Sequence, residues 1–264
     1  MSFQRIYAIF LRQFFLLRRS PSRIMGVFYW SLLEVFIWGL ISRYLHSVGG
    51  ETFGFVTVLV GAVIFWNFFT RTMNGISVSF LEDVWSRNLI NLFSSPLTIG
   101  EYAAGLIVTS IVHTVFSIAG MVAMAWLFFS YNIFLFGFFL IPFVFLLFLF
   151  GWTIGIFATA FILRFGPAVE ILVWSAPALI MPFAAVFYPV EALPGAFRPI
   201  SYLIPISYVF EGMRRAAIGG TFDVRFFIIA LVLSVFYFAG AIFVFIKMYH
   251  IVLKRGLFTR FMTE

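Results

Sequence analysis

An all-α membrane protein with six transmembrane helices is the fold that this sequence predicts, and three observations support it. Hydrophobic residues make up 63% of the chain. Only 10% of its residues are charged, whereas about a quarter are charged in a typical soluble domain. The mean hydropathy is +1.10, and several apolar runs reach the length of about twenty residues that a helix needs to cross a bilayer. A compact soluble core could not bury this much apolar surface, so lipid is the expected solvent.

Six apolar stretches are predicted to cross the membrane and to form a single transmembrane domain over residues 1–264. They occupy residues 24–44, 54–74, 103–129, 133–163, 168–188 and 223–249. The segments that this order leaves on one side carry twelve of the seventeen lysines and arginines, namely Arg5, Arg12, Arg18, Arg19, Arg23, Arg71, Arg87, Arg164, Lys247, Lys254, Arg255 and Arg260. Positive residues favour the cytoplasmic side of membrane proteins, so both termini are predicted to be cytoplasmic. Because these charges lie beside the apolar spans, the net charge of +7 does not indicate a nucleic-acid partner.

Residues 1–23 are predicted to form an amphipathic helix at the membrane interface. Arg5, Arg12 and Arg19 recur every seven residues on one face, and apolar residues with the same spacing lie on nearly the opposite face. The basic face is predicted to contact lipid headgroups or a cytoplasmic partner. A helix that only anchors the chain to the lipid surface is the alternative.

A second amphipathic pattern occupies residues 79–95, between the second and third predicted spans. Several of its apolar side chains share one stripe of a helix, and Ser94-Ser95-Pro96 ends the pattern. A short cytoplasmic helix of this kind is a candidate docking element for a soluble partner, although an ordinary connector on the membrane surface has the same pattern. The predicted coupling residues are Leu81, Trp85, Arg87, Leu89, Leu92 and Phe93.

Residues 189–221, between the fifth and sixth predicted spans, are too polar and too rich in proline to cross the membrane. They keep apolar runs, however, and are predicted to form two short re-entrant helices that dip into the outer leaflet and act as an extracytoplasmic gate. The predicted gate residues are Pro189, Leu193, Pro194 and Pro205. Pro177 and Pro182 lie within the preceding span and predict a kink there.

The sequence lacks the motifs that would indicate an enzyme. It contains no G-x-x-x-x-G-K-[ST] phosphate loop, no H-E-x-x-H and no G-x-S-x-G, and it has no cysteine. Its three histidines lie in separate segments. We therefore predict that the chain has no catalytic residue, no metal site and no cofactor of its own.

Few ionisable residues fall within the predicted spans, and this bears on the source of energy for any transport. Glu34 lies near mid-bilayer, where it is either a pathway or dimer-interface residue or a partner for a neighbouring helix. His113 is predicted to be an interhelical hydrogen-bond donor. Proton- or sodium-coupled carriers usually need several such groups along their path, so a separate ATPase is the simpler energy source. A secondary carrier and a membrane assembly component without transport are the alternatives.

Two stretches of the sequence resemble the type 2 ABC exporter permeases (ABC-2 type). Asn88–Leu97, followed by Tyr102 and Gly105, is similar to the segment after their second span, where a short helix precedes Ser-Pro-Leu. Family members usually have a more acidic, glycine-containing run before that motif, whereas this chain has residues 85–88 of sequence Trp-Ser-Arg-Asn. The second stretch resembles the signature before their last span and comprises Tyr188-Pro189-Val190-Glu191-Ala192-Leu193-Pro194, Ile204-Pro205-Ile206-Ser207-Tyr208 and Glu211-Gly212-Met213-Arg214-Arg215.

The resemblance implies a homodimer that binds two copies of a nucleotide-binding ATPase subunit, which would hold ATP and Mg. It implies export of a polysaccharide, glycolipid, lipid or hydrophobic drug across a bacterial or archaeal cytoplasmic membrane, with membrane lipids around the complex. The pathway would lie at the dimer interface, in spans one, two and five. Aromatic rings there could stack on sugars, although phenylalanine usually faces lipid or other helices. The predicted pathway residues are Glu34, Phe65, Trp66, Phe69, Trp174, Phe183 and Tyr188.

Overall fold

The computed structural model describes residues 1–49, 55–219 and 222–256, and this part of the chain is helical without any strand. Its α-helices are α1 (Phe3–Arg19), α2 (Pro21–Gly49), α3 (Phe55–Trp85), α4 (Leu89–Ser94), α5 (Ile99–Phe129), α6 (Leu140–Phe165), α7 (Ile171–Ile180), α8 (Arg198–Leu203), α9 (Pro205–Gly219) and α10 (Val224–Lys254). Short 3₁₀ segments lie at Ile133–Phe139, Pro167–Val169 and Val190–Ala192. Arg260, Gly54 and residues 220–221, which enter the predictions above, lie outside the described residues.

Four helical segments of the described chain are long and apolar enough to cross a membrane. They are Pro21–Val48, Ile99–Phe129, Ile133–Phe165 and Val224–Lys254. They contain most of the predicted first, third, fourth and sixth spans. The prediction of an all-α, multi-pass membrane protein is therefore confirmed.

The second predicted span belongs to α3, which is longer than the hydropathy pattern indicated. This helix has 31 residues and is about 46 Å long at 1.5 Å per residue. Residues 79–85 are its last two turns, so they do not start a separate coupling helix. The helix ends at a turn in which Arg87 has a φ of 54°, and α4 begins two residues later.

The fifth predicted span, 168–188, is not one continuous helix. The helical part of α7 has only 10 residues, or about 15 Å, which is half of the bilayer's hydrocarbon thickness of about 30 Å. Pro177 lies inside the helix, and Pro182 follows its end. Proline lacks the backbone N–H that continues a helix and restricts the residue before it, so the chain turns over residues 181–188.

Contacts between distant residues show which helix ends share a side of the bundle. Arg23, at the start of α2, pairs with Glu82, near the end of α3, at 3.1 Å. Arg5 of α1 pairs with Glu101, in the first turn of α5, at 3.3 Å. We call this end of the bundle the α1 side, because α1 lies across it.

The remaining helix ends can be assigned in the same way. The rings of Phe93 and Tyr249 are 5.6 Å apart, which brings α4 and the end of α10 to the α1 side. On the opposite side, Phe139, just before α6, stacks on Phe222, just before α10, with ring centroids 5.1 Å apart. The ends of α2, α3 and α5 meet on that side too, since a Cβ on Gly39 would contact Phe129 and one on Gly61 would contact Tyr131. The end of α6 packs on the α1 side, where Leu163 shares a core with Ile9. Helices α2, α3, α5, α6 and α10 therefore each extend from one side to the other.

The long central helix α3 packs against α5 and α6 through glycines. A Cβ on Gly75 would lie 2.6 Å from the Cα of Ser110 in α5. A Cβ on Gly155 of α6 would lie 2.9 Å from the carbonyl oxygen of Met73 in α3. Small residues allow such close backbone approach, which is how helices gain van der Waals contact in membranes. The resulting bundle places α3 at its centre.

Replacing Gly155 by alanine is expected to destabilise the protein, because the new Cβ would overlap the α3 backbone. Overpacking of this kind costs about 1–3 kcal/mol. Gly240 of α10 is the matched control, since a Cβ there meets no atom within 4 Å and alanine stabilises a helix by about 1 kcal/mol relative to glycine. The melting temperatures of the two variants in detergent should shift in opposite directions. A Gly155→Ala protein as stable as the wild type would contradict the contact.

Candidate functional site

A polar stripe runs along α3, although most of the helix is apolar. Asn67, Arg71, Asn74, Val78 and Glu82 follow one another at steps of four, three, four and four residues, which places them on one face. The stripe extends over about 22 Å and ends at the α1 side. Four of its five members are polar, so this face is not suited to contact with lipid.

The stripe begins at a polar contact between α2 and α3. The side-chain amide of Asn67 donates to the Glu34 carboxylate at 2.6 Å and to the Val63 carbonyl oxygen at 3.0 Å. Asn67 is buried, and Glu34 is half-buried. Of the two predicted roles of Glu34, this contact corresponds to the hydrogen-bonded partner of a neighbouring helix. One turn further along, Arg71 donates to the carbonyl oxygen of Gly26 in α2 at 3.3 Å.

The rest of the stripe borders a cavity of about 460 Å³ between α1, α2, α3, α5 and α7. Trp30 of α2 and Trp174 of α7 also line it, and their side chains are 60% and 52% exposed. His113 lines it from α5. The remaining lining residues are Gln13, Leu17, Arg23, Gly26, Arg71, Asn74, Gly75, Val78, Ser79 and Glu82. The cavity therefore combines charged, amide and aromatic side chains within an otherwise apolar bundle.

An ion pair with a buried carboxylate lies next to the residues that line this cavity on the α1 side. Arg12 of α1 forms two hydrogen bonds with the Asp83 carboxylate of α3, and the Tyr102 hydroxyl of α5 donates to the same carboxylate at 2.7 Å. The Asp83 side chain is only 1% exposed. Burial alone would lower the pKa of Arg12, but the hydrogen bond and the charge of Asp83 outweigh this effect and raise that pKa above its ordinary value.

Two further ion pairs complete the contacts of α1 and the start of α2. Glu101 pairs with Arg5 and accepts hydrogen bonds from the backbone N–H groups of Ser2 and Thr98, at 2.7 and 2.9 Å. Thr98 also caps α5 in a capping box with Glu101. We call the three ion pairs Arg12–Asp83, Arg5–Glu101 and Arg23–Glu82 the α1 clamp.

The clamp shows contacts of the basic face of the first helix that the sequence did not predict. Arg5 and Arg12 pair with acidic residues of the same chain, whereas Arg18 and Arg19 are exposed. Contact of this face with lipid headgroups or a partner stays a prediction. A Cβ on Gly105 would lie 2.6 Å from the Ile9 side chain, so this glycine lets α1 lie against α5. The acidic partners were missed because they lie 71 and 96 residues away in the sequence.

The predicted coupling residues do not form one exposed stripe. Leu81 and Leu89 are fully buried, because the end of α3 and the start of α4 pack into the core near α1. Leu92 and Phe93 are half-buried, Arg87 and Trp85 are exposed, and the Trp85 indole N–H donates to the Glu170 carboxylate at 3.1 Å. The surface that a partner could contact is therefore the turn after α3 together with the outer face of α4.

The predicted pathway residues fall into three groups. Phe65 and Phe69 are fully buried and Trp66 is 6% exposed, and all three belong to the core on the opposite side, so they do not border the cavity. The sequence shows that these residues are aromatic, but it does not show whether their side chains are buried. Trp174 does line the cavity, and Glu34 lies one turn from Trp30 in α2.

The other two predicted pathway residues lie in the turns that follow α7. The Phe183 ring is 5.9 Å from that of Phe197, and the Tyr188 hydroxyl donates to the Pro182 carbonyl oxygen at 2.6 Å. Both side chains are half-buried. They pack within the segment itself, and neither borders the cavity.

An ion pair in α9 fixes the segment that was predicted to be a gate. Arg214 pairs with Glu211 at 2.9 Å and donates to the carbonyl oxygen of Ala185 at 2.7 Å. Glu211 accepts the N–H of Val190 at 2.7 Å. Ala185 has a φ of 55°, an unfavourable left-handed conformation that these hydrogen bonds help to hold. Of the predicted gate residues, Pro189 and Pro194 are exposed, Leu193 is half-buried and Pro205 is buried.

Apolar helices long enough to cross a bilayer define a multi-pass membrane protein, and a cavity with polar lining lies between its helices. The sequence model of the ABC-2 type transporter family matches residues 4–218, from α1 to the end of α9, and the chain belongs to this family. The predicted resemblance is thereby confirmed. Members of the family are permease components of ABC transporters, which associate with an ABC ATPase. No curated protein matches the chain.

Replacing Asp83 by asparagine is expected to lower the stability of the protein strongly, because Arg12 would lose its charged partner. Removing one member of a buried pair costs about 3–5 kcal/mol, and the partial exposure of Arg12 places the expected loss at or below the lower end of that range. The melting temperature in detergent should fall. Arg18→Gln, at an exposed position of α1, should leave it unchanged.

A double variant tests the same ion pair further. Arg12→Gln combined with Asp83→Asn should be less destabilised than the two single changes predict together, since neither partner is left alone. Strict additivity of the two effects would contradict the pairing.

Replacing Arg214 by glutamine is expected to loosen the turns after α7, because the carbonyl oxygen of Ala185 would lose its charged donor. The chain has no cysteine, so a single Ala184→Cys reporter at this buried position can be labelled with a maleimide. Labelling should be at least fivefold faster with Arg214→Gln. Arg225→Gln, at an exposed position near the start of α10, is the control and should not change the rate.

Proposed function

We propose that this chain is the membrane subunit of an ATP-driven exporter, which moves an amphipathic molecule from the cytoplasm or the inner leaflet to the outside. The observation that carries the proposal is the cavity of about 460 Å³ next to the α1 clamp, where a polar face of α3 meets exposed tryptophans of α2 and α7. A purely structural bundle has no need for such a face. The candidate cargoes are a polysaccharide, a glycolipid, a lipid and a hydrophobic drug.

The proposed topology has six crossings, with both termini in the cytoplasm. Helices α2, α3, α5, α6 and α10 account for five of them. The hydrogen bond between Trp85 and Glu170 supports a start of α7 on the α1 side, and the stacking of Phe187 on Trp38, 18 residues into α2, supports an onward path towards the opposite side. The sixth crossing is thus a broken one, made by α7 and the turns after it. The cluster of arginines on the α1 side favours a cytoplasmic location for that side.

In this topology the cavity is the cytoplasmic entrance of the pathway. The stripe on α3 continues from it towards mid-bilayer and ends at the contact between Asn67 and Glu34. Phe65, Phe69 and Trp66 close the bundle beyond this point, and they would have to move apart for a cargo to pass there. The conformation described here therefore corresponds to an exporter that is closed towards the outside.

The α1 clamp provides a route from a cytoplasmic partner to the cavity. Asp83 holds α1, while its neighbour Glu82 lines the cavity and pairs with Arg23 of α2. A force on the turn after α3 would act on both residues, because they lie in the last turn of the same helix. We therefore propose the turn after α3 and the outer face of α4 as the coupling surface for the ATPase.

The assembly that we propose is a homodimer with two ATPase subunits, which bind ATP and Mg and hydrolyse the nucleotide. The exposed apolar face of α2 is available for a second copy or for lipid. It includes Tyr29, Phe36, Ile37, Leu40 and Tyr44. The location that fits such an exporter is a bacterial or archaeal cytoplasmic membrane.

The coupling surface can be tested with Arg87→Asp, because Arg87 is exposed and aspartate tolerates its left-handed backbone conformation. The reversed charge is expected to reduce ATPase co-purification about tenfold, while insertion and thermal stability stay unchanged. Arg225→Asp, on the opposite side, is the matched control. Equal ATPase recovery with both variants would contradict the coupling surface. Leu89→Asp is unsuitable, because it would place a charge in the core.

The transport function needs a separate experiment on the complex reconstituted with its co-purifying ATPase. Candidate cargoes should stimulate ATP hydrolysis and should accumulate inside inverted vesicles in an ATP-dependent manner. Transport that persists without the ATPase but stops when ion gradients are dissipated would identify a secondary carrier instead. An ATPase that no cargo stimulates would favour an assembly component.

A further inference from the structure

Four unpaired polar atoms belong to residues that line the cavity. They are Gln13 Nε2, Arg23 Nη1, Arg71 Nε and Asn74 Oδ1, and each is buried without a hydrogen-bond partner among the described residues. A buried polar group without a partner costs about 1–3 kcal/mol, and few occur in native structures. These residues belong to three helices, so their meeting in one place is not a local feature of one element. Five further unpaired atoms lie elsewhere in the described part of the chain, but these four belong to residues around one cavity, which leaves room for a partner from outside the chain.

The charges of these residues indicate what the missing partner is. Arg71 contacts the carbonyl oxygen of Gly26 and makes no ion pair with the described part of the chain. Arg23 uses its Nε for Glu82, which leaves Nη1 free for another acceptor. Gln13 is only 2% exposed and has its Nε2 donor unpaired. Three of the four unpaired atoms are therefore donors, and one of the three belongs to the Arg71 guanidinium, so this surface favours an anion.

We propose that the cavity binds an oxyanion of the phosphate class, with Arg71 as its main ligand and with Arg23 and Gln13 as further donors. The donors approach from α3, α2 and α1, and a tetrahedral phosphate has oxygens in several directions to accept from them. A carboxylate presents its two oxygens in one plane and fits this arrangement less well.

The cavity is larger than a bare oxyanion needs, and its volume falls in the range typical of pockets for small organic ligands. Trp30 and Trp174 provide an exposed aromatic edge, on which an apolar tail attached to the phosphate could lie. The oxyanion is thus either the headgroup of an amphipathic molecule or a free phosphate. Identifying it with part of the exported molecule rests on the proposed function, whereas binding itself does not.

Binding can be measured on the full chain in detergent without any ATPase, by thermal unfolding over a range of ligand concentrations. The probes are inorganic phosphate, dioctanoyl phosphatidic acid and, as the phosphate-free match, dioctanoylglycerol. We expect the melting temperature of the wild type to rise saturably with phosphatidic acid. The dissociation constant for phosphatidic acid should be at least tenfold higher in Arg71→Gln. Arg18→Gln, on the exposed face of α1, should bind as the wild type does.

A second variant tests the site independently in case Arg71→Gln does not fold. Gln13→Leu removes an unpaired buried donor, so it should raise the melting temperature of the ligand-free protein and weaken phosphatidic acid binding several-fold. A merely structural glutamine would not give these opposite changes. If both variants bind like the wild type, or if dioctanoylglycerol stabilises as strongly as the phosphatidic acid, the proposal is wrong.

The remaining outcomes identify the source of the oxyanion. Tighter binding of phosphatidic acid than of inorganic phosphate supports the headgroup of an amphipathic molecule, and equal binding supports a site for the free anion. No stabilisation by either phosphate probe would overturn the site. Binding in this assay without ATP-dependent transport by the reconstituted complex would support the site and contradict the proposed function alone.

Discussion

The Asp83 carboxylate is the contact on which the α1 side of the bundle depends. It is buried near the end of α3 and accepts hydrogen bonds from Arg12 and from the Tyr102 hydroxyl, so three helices meet at one side chain. An unpaired carboxylate at this depth would be costly, and both partners must therefore stay in place for the fold to be stable. The same constraint fixes Glu82, one residue earlier, where it pairs with Arg23 and lines the cavity. The pairing of Asp83 with Arg12 therefore helps to fix the position of Glu82 in the wall of the cavity.

Hydropathy was sufficient to predict the helical class and most of the spans, because lipid exposure requires long apolar runs whatever the packing. It was insufficient where packing or backbone chemistry decides the structure. Helix α3 continues to Trp85 because Leu81 and its neighbours are buried against other helices, and a hydropathy window does not detect that burial. The fifth span is broken by its prolines, for which a kink in a continuous helix was the prediction. Both differences concern where a helix ends.

The site residues were harder to predict than the fold, because their roles depend on partners that are distant in sequence. Phe65 and Trp174 are both aromatic residues in apolar runs, yet one is buried in the core and the other lines the cavity. Only the packing of other helices distinguishes them. The polar face of α3 could have been predicted from the sequence, since Asn67, Arg71 and Asn74 recur at helical spacing within an apolar segment. The acidic members of the clamp gave no comparable signal.

The clamp and the rest of the cavity differ in how their polar groups are satisfied, and only Arg23 and Glu82 belong to both. Every charge of the clamp has a charged partner from the same chain, as stable packing requires. The cavity instead leaves buried donors of Gln13 and Arg71 unpaired. Apolar side chains there would give a more stable bundle, so the polar residues act against stability in the unliganded protein. A transporter must also release what it binds. In the site that we propose, donors that are satisfied only while a ligand is present would make ligand release dependent on the motion of the surrounding helices.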